Sequence, residues 1–237
     1  MSDNKHPIFT RASWLLRCGA VLAVVSFATI NGVAASKSGA RGHPDTTGWK
    51  DLFAPDLSNA TLKPGGWEMK NGVLVAKDHE NIWTRESYGD FILDFEFKVA
   101  KESNSGVFLR SGDITKVLGA LEIQVHENKD ASKYGMVGAL YDAKPPSMEM
   151  SKPVGEWNHF TITCRGSKVA LVFNSEQVLD VDLNQWTEVR KNPDGTPNKF
   201  PQALKDYSRR GPLGLQGLHG KAQAPVWYRN LKIKVLE

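Results

Sequence analysis

From about residue 49 onward, apolar and polar side chains alternate along most of this chain, the period-two pattern of strands that bury one face. The longest clean run covers residues 90–100. There Phe91, Leu93, Phe95, Phe97 and Val99 share one face and Asp94, Glu96 and Lys98 the other. Residues 67–77 alternate on both sides of Asn71-Gly72, the strongest two-residue hairpin signal. Further strands are predicted at 107–110, 120–126, 157–164, 169–173, 177–181, 213–216 and 226–235, with a turn at 174–176. No long window keeps a helical period, apart from a short turn near residues 203–207. So many short strands predict an all-β fold, two antiparallel sheets packed as a sandwich. Trp157 is expected in its core, as aromatics usually are.

The segment ALEIQVHEN, residues 120–128, places Leu121, Ile123 and Val125 on one face and Glu122, Gln124 and His126 on the other. Side chains two apart stand about 7 Å from one another. The strand therefore offers a carboxylate, an amide and an imidazole in a row, which suits a ligand rich in hydroxyls. The plainer reading is a half-exposed strand with a solvated face. Residues 184–210, rich in Pro, Asn and Lys, form a long loop of the kind that either lines a site or moves.

With 237 residues, 41% apolar and 24% charged, the chain has globular composition and length for one large domain. Arg11 and Arg17 precede an apolar run at 19–30, and Val33-Ala34-Ala35 supplies small residues for cleavage. Residues 1–35 therefore read as a signal peptide, 36–47 as a short polar linker and 48–237 as a single sandwich. The run is short for a spanning helix. The expected destination is the periplasm or the cell exterior, with no stable membrane association once the signal is removed. Cys18 leaves with that signal, so Cys164 remains alone and no intrachain disulfide forms. Net charge is +4, of which Lys5, Arg11 and Arg17 against Asp3 contribute 2. No basic cluster exceeds Arg209-Arg210, which argues against a nucleic-acid partner. Cysteine spacing of the zinc type and paired-histidine motifs are absent.

Several motifs follow in order: Trp67 with Asn71-Gly72, residues 104–110 (NSGVFLR), Glu122-Ile123-Gln124, Gly138-Ala139-Leu140-Tyr141 and Gly155-Glu156-Trp157-Asn158. Gly214-Leu215-Gln216 with His219-Gly220 and Tyr228-Arg229-Asn230-Leu231 complete the series. The series resembles the 3-keto-disaccharide hydrolase domain family, whose fold is a concanavalin A-like jelly roll, and it covers the chain from about Trp49 to the end. The family's Gln-x-His-Gly segment is one residue longer here, Gln216-Gly217-Leu218-His219-Gly220. The resemblance implies a small carbohydrate substrate, a glycoside oxidised to a ketone at carbon 3.

A ketone at carbon 3 acidifies the proton on carbon 2. One base can remove it, the aglycone on carbon 1 can leave by elimination, and water can add afterwards. Ordinary glycosidases need two carboxylates roughly 5 to 9.5 Å apart. Here position 124 holds Gln, and Glu127 has the wrong parity and lies about 16 Å along the strand. Glu122 is accordingly the candidate base, or a metal ligand, and His219 the candidate acid/base partner or second ligand. Arg110 is the candidate for the enolate or a sugar oxygen. Gln124 and Gln216, which both donate and accept, together with His126 and Tyr141 are candidate sugar contacts. A divalent cation is compatible with this set but not required by it. The competing functions are a non-catalytic, lectin-like carbohydrate-binding module and a laminin-G-like adhesion domain.

Overall fold

The computed structural model describes residues 42–117, 120–128, 131–221 and 223–237. The signal peptide expected at 1–35 and the linker up to residue 41 lie outside them. Among the described residues, thirteen strands and a few single-turn 3-10 helices build two antiparallel sheets, with no α-helix. No helix among them is long and apolar enough to cross a membrane.

Strands are numbered in chain order. The larger sheet runs β11 (Glu176–Asp182), β10 (Lys168–Phe173), β9 (Trp157–Arg165), β6 (Phe91–Val99), β13 (Val226–Val235), β4 (Val73–Ala76) and β3 (Trp67–Lys70). A short β1 (Lys50–Asp51) also pairs with β13. The smaller sheet runs β2 (Ala60–Thr61), β5 (Ile82–Thr84), β12 (Gly214–Leu215), β7 (Asn104–Leu109) and β8 (Leu121–His126). The long strands match the period-two runs. β1, β2 and β5, at two or three residues, are too short to carry a period and exist through their partners.

The hairpin of β3 and β4 turns at Asn71 and Gly72, with φ of 52° and 74°. Those are the left-handed values that a two-residue turn demands and that Asn-Gly tolerates. Between the sheets, Phe91, Leu93, Phe95 and Phe97 of β6 are fully buried. Phe97, Phe160 and Phe173 pack with ring centroids 4.6 to 6.0 Å apart. The hydroxyl of Tyr228, on β13, reaches across to Ser105 Oγ of β7 at 2.7 Å and ties one sheet to the other.

Two expectations are corrected. Trp157 is not in the core: its register partner is Lys98, so it lies on the outer face of the larger sheet. There it sits beneath the Lys98 ammonium at 5.1 Å and the Arg229 guanidinium at 4.0 Å. Asp94 has the outward parity expected of it yet is only 4% exposed. The cause is the end of the expected linker. His43 lies over β6 and β9, its Nδ1 2.8 Å from Thr161 Oγ1 and its ring stacked on His159 with centroids 3.4 Å apart. Residues 42–47 thus belong to the domain.

Candidate active site

The polar row of β8 faces outward from the smaller sheet, as its parity requires, but it is not solvated. Glu122 is 5% and Gln124 3% exposed. One neighbour is β7, in register so that Gly106 lies opposite Gln124 and Phe108 opposite Glu122. The missing side chain of Gly106 is where the Glu122 carboxylate lies, and a Cβ there would overlap it. On the other edge of β8 runs residues 138–141. Gly138 N–H donates to Gln124 O, Gln124 N–H to Ala139 O and Tyr141 N–H to Glu122 O, all at 2.9 to 3.0 Å. Backbone pairing therefore delivers Tyr141 beside Glu122.

The roof comes from the long loop. Trp186 is buried and donates its Nε1–H to Asn192 Oδ1 at 2.9 Å, Asn198 Nδ2 donates to the same oxygen, and Phe200 N–H donates to Asn198 Oδ1. This buried amide network makes the loop a structural element that lines the site. Lys199 projects from it, its N–H held by Asp142 Oδ2 at 2.6 Å. Its ammonium stands 3.6 Å from Glu122 Oε2 and 4.2 Å from the centroid of the Tyr141 ring. Sequence reasoning missed Lys199, because nothing in a loop's local pattern says which β-strand it will cover.

A cavity of about 390 Å³ opens among Glu122, Gln124, Tyr141, Lys199, Gln216 and His219. His79, Asn81, Asn104 and Val117 complete its wall. Gln124 Nε2 donates to Asn104 Oδ1 at 3.1 Å. Gln216 Oε1 is buried with no hydrogen-bond partner among the described residues. His219 is brought in by a bridge to Asn104. Five expected residues therefore converge: Glu122, Gln124, Tyr141, Gln216 and His219.

Two do not. Arg110 has a left-handed backbone, φ 49°, that turns the chain out of β7. Its side chain, 1% exposed, donates to Gly89 O, Gly166 O and the Asp90 carboxylate at 2.6 to 3.0 Å. Gly166 lies in the turn between β9 and β10, so Arg110 cross-links the sheets, and it does not line the Glu122 cavity. His126 keeps its parity but opens on a different cavity of about 430 Å³, beside Glu127, Asn128 and Glu149. Burial lowers its pKa, Glu127 opposes that and His219 adds to it.

Burial raises the Glu122 pKa above the ordinary carboxylate value, and the Lys199 charge and hydrogen bond pull against that rise without cancelling it. Burial likewise raises that of Tyr141, reinforced by Glu122 and Asp142. A carboxylate whose proton affinity is enhanced, facing a cation and a set of amide groups, has the chemistry to accept a proton beside a group that can hold an anion.

The sequence profile of the 3-keto-alpha-glucoside-1,2-lyase-like domain matches residues 42–234. The chain belongs to this family. A 3-keto-disaccharide hydrolase of Bacteroides thetaiotaomicron is 29% identical over 196 residues, covering 73% of this chain and 66% of that protein. The chain thus spans just under two thirds of that relative's length. A crystal structure of a proposed glycosyl hydrolase from Parabacteroides distasonis superposes with TM-score 0.76 at 34% identity, covering 79% of this chain and 99% of the other. A second from the same organism superposes with TM-score 0.58 at 26% identity, covering 82% and 86%. The two solved relatives share the sandwich described above.

In this 3-keto-alpha-glucoside-1,2-lyase-like domain, the group of metal-type donors that the described residues bring within 4.8 Å of one another is His43, Asp94 and His159. It lies on the outer face of the larger sheet and does not suit a cation. The two imidazole planes are 10° from parallel and stacked 3.4 Å apart, whereas imidazole lone pairs lie in the ring plane and must converge on a metal. His43 Nε2 also accepts from Ser175 N–H at 3.2 Å, which leaves the proton on Nδ1, the atom nearest Asp94. At the Glu122 cavity, Glu122 and His219 are the members of the expected ligand pair.

Proposed function

We propose that this protein cleaves 3-keto glycosides by elimination and rehydration, with Glu122 as the base. The observation that carries the reading is the single buried carboxylate at the cavity floor, its pKa raised by burial, with Gln124 where a second carboxylate would stand. One base is what removal of a proton from carbon 2 needs; opposed acid and nucleophile are what direct glycoside hydrolysis needs.

Glu122 takes the carbon-2 proton, and the electron pair moves onto the carbon-3 oxygen as an enolate. The Lys199 ammonium, 3.6 Å from the carboxylate, is positioned to stabilise that oxygen, the role Arg110 was expected to play. Collapse of the enolate forms the carbon-1 to carbon-2 double bond and expels the aglycone oxygen, which His219 or water protonates. Water then adds at carbon 1, giving its proton back to the His219 or hydroxide that protonated the aglycone, and the proton returns from Glu122 to carbon 2, so the net reaction is hydrolysis. Gln124, Asn104 and Gln216 supply amide groups for sugar hydroxyls.

The deciding experiment incubates the protein with a 3-keto disaccharide and with its unoxidised parent, with and without a chelator, and follows released sugar by mass spectrometry. Release from the keto substrate alone is expected. Binding without release from either would make the protein a lectin-like module instead. We further propose export to the periplasm or beyond, on the charged start, apolar run and small residues of positions 1–35. A mature N-terminus near Ser36 in the exported fraction is the expected result.

A further inference from the structure

Residues 138–141 bring Tyr141 to Glu122, and the next residue, Asp142, does not line the cavity. Asp142 has φ 62°, in the left-handed region that Asp, Asn and Gly tolerate. That conformation turns the chain off the edge of β8 towards the long loop, where Asp142 Oδ2 accepts the Lys199 N–H at 2.6 Å. We propose that Asp142 is a positioning residue: its carboxylate fixes the backbone of Lys199 so that the ammonium stands over Glu122. The proposal rests on the reading of Glu122 as the base of a 3-keto glycosidase and names what holds that base's cationic partner.

Two of Asp142's hydrogen bonds belong to its backbone. Its N–H donates to Tyr134 O and its C=O accepts from Asn192 Nδ2, both at 3.1 Å. Asn192 is also the acceptor for Trp186 and Asn198, so these bonds dock the loop whatever side chain stands at 142. The bond made by the side chain has a different task. It is charge-assisted, from a backbone N–H to a carboxylate, and it holds one point, the start of the Lys199 side chain. From there the ammonium lies 3.6 Å from Glu122 Oε2 and 4.2 Å from the centroid of the Tyr141 ring. A lysine stem is flexible, and a fixed backbone with an aromatic ring near the ammonium selects one arrangement of it. Tyr141 and Asp142 are adjacent, so one short segment supplies both.

Positioning and plain charge predict opposite signs. The Lys199 charge and hydrogen bond lower the proton affinity of Glu122, so releasing Lys199 moves the Glu122 titration to higher pH. Removing the negative charge of Asp142 by itself moves a neighbouring carboxylate to lower pH. The other titratable groups on the cavity wall are Tyr141, His79 and His219, and β7 presents the uncharged Gly106 and Phe108 opposite the β8 row. None of these is altered by a substitution at 142.

The test compares wild type with Asp142→Gly, Asp142→Asn, Lys199→Met and the double variant Asp142→Gly/Lys199→Met. Glycine and asparagine both accept the left-handed backbone and keep the two backbone bonds, and asparagine also keeps an oxygen for the Lys199 N–H. Turnover of a 3-keto disaccharide is measured, and the Glu122 carboxyl is titrated by carbon-13 NMR without substrate. Asp142→Gly is expected to lower kcat by about 10- to 100-fold, the effect of a displaced group, and to raise the Glu122 midpoint as Lys199→Met does. Asp142→Asn should retain most of the turnover and leave the midpoint at or below that of wild type. The double variant should be no slower than Lys199→Met alone, since both changes remove the same interaction. A Glu122 midpoint that stays or falls in Asp142→Gly, losses that add in the double variant, or an Asn variant as impaired as the Gly one overturns the proposal. If wild type cleaves no 3-keto glycoside while the midpoint still rises in Asp142→Gly and not in Asp142→Asn, the catalytic reading fails and the positioning role stands by itself.

Discussion

Glu122, the base in the proposed reading, occupies a position where a carboxylate is unfavourable for folding. Burial raises its pKa despite Lys199, so the folded protein holds the proton more tightly than the unfolded chain does. The sign follows by linkage. Between the unfolded value near 4.5 and the higher folded value, the native state binds more protons, so stability declines as pH rises through that window. Glu122→Gln is therefore expected to raise the melting temperature at neutral pH, on the order of 1 kcal/mol, as functional residues often do when neutralised. The gain should shrink in acid, where both proteins are uncharged at this position. The same variant should lose kcat by about 10²- to 10⁴-fold, the range for a general base. A variant with normal turnover, measured on the keto disaccharide, would remove Glu122 from the mechanism.

At the scale of elements, the site is an arrangement of backbone. β8 contributes the row, β7 contributes the space of Gly106, and residues 138–141 pair along the far edge to bring Tyr141 alongside. Gly106 does not have a left-handed backbone, so alanine there meets no conformational strain, and the nearest atoms its methyl meets belong to the Glu122 side chain. Gly106→Ala is expected to leave the circular-dichroism spectrum intact and to lower kcat on the order of 10²-fold, the effect of displacing a reacting group by about 1 Å. Turnover at the wild-type rate would mean that the carboxylate position seen here is not the working one. The loop above is equally an element: its Asn192 and Asn198 amides, both nearly inaccessible, bond Trp186 and the backbone of Phe200 and so hold Lys199 in place.

At the scale of the whole molecule, the two outer faces differ in purpose. One carries the cavity; the other is strapped by residues 42–47 through His43, which links Thr161 of β9 with the backbone of Ser175 beyond β10. Burial, the neighbouring His159 and more distant Lys152 lower the His43 pKa from 6.5 to about 4, while Asp94 and Glu96 oppose them. His43 is thus neutral when folded and takes up a proton in the unfolded chain near 6.5. Its contribution is present above that pH and is lost as pH falls from about 6.5 towards 4. In thermal melts, wild type should lose more stability between about pH 7 and pH 5 than His43→Phe, which keeps a ring on His159 but cannot titrate. Equal losses would place the acid sensitivity elsewhere.

What the chain's order of residues determined by itself is whatever depends on neighbours a few positions apart. Alternation set the strands and their faces, Asn71-Gly72 set a turn, and the parity of Glu122, Gln124 and His126 put all three on the outer face of β8. The lone carboxylate in that row, and with it the argument for one base, was readable before any fold was known. The tertiary structure alone decided which distant groups meet. Lys199 reaches Glu122 because a loop anchored by buried amides crosses β8, and no local period encodes that crossing. Arg110 left the site because a left-handed φ carried it out of β7 and the carbonyls of two turns captured its donors. His43 became part of the domain through hydrogen bonds to a strand and a turn more than a hundred residues away. Side-chain parity is a local property of extended backbone, whereas the partner of a buried charge depends on closure of the whole sandwich.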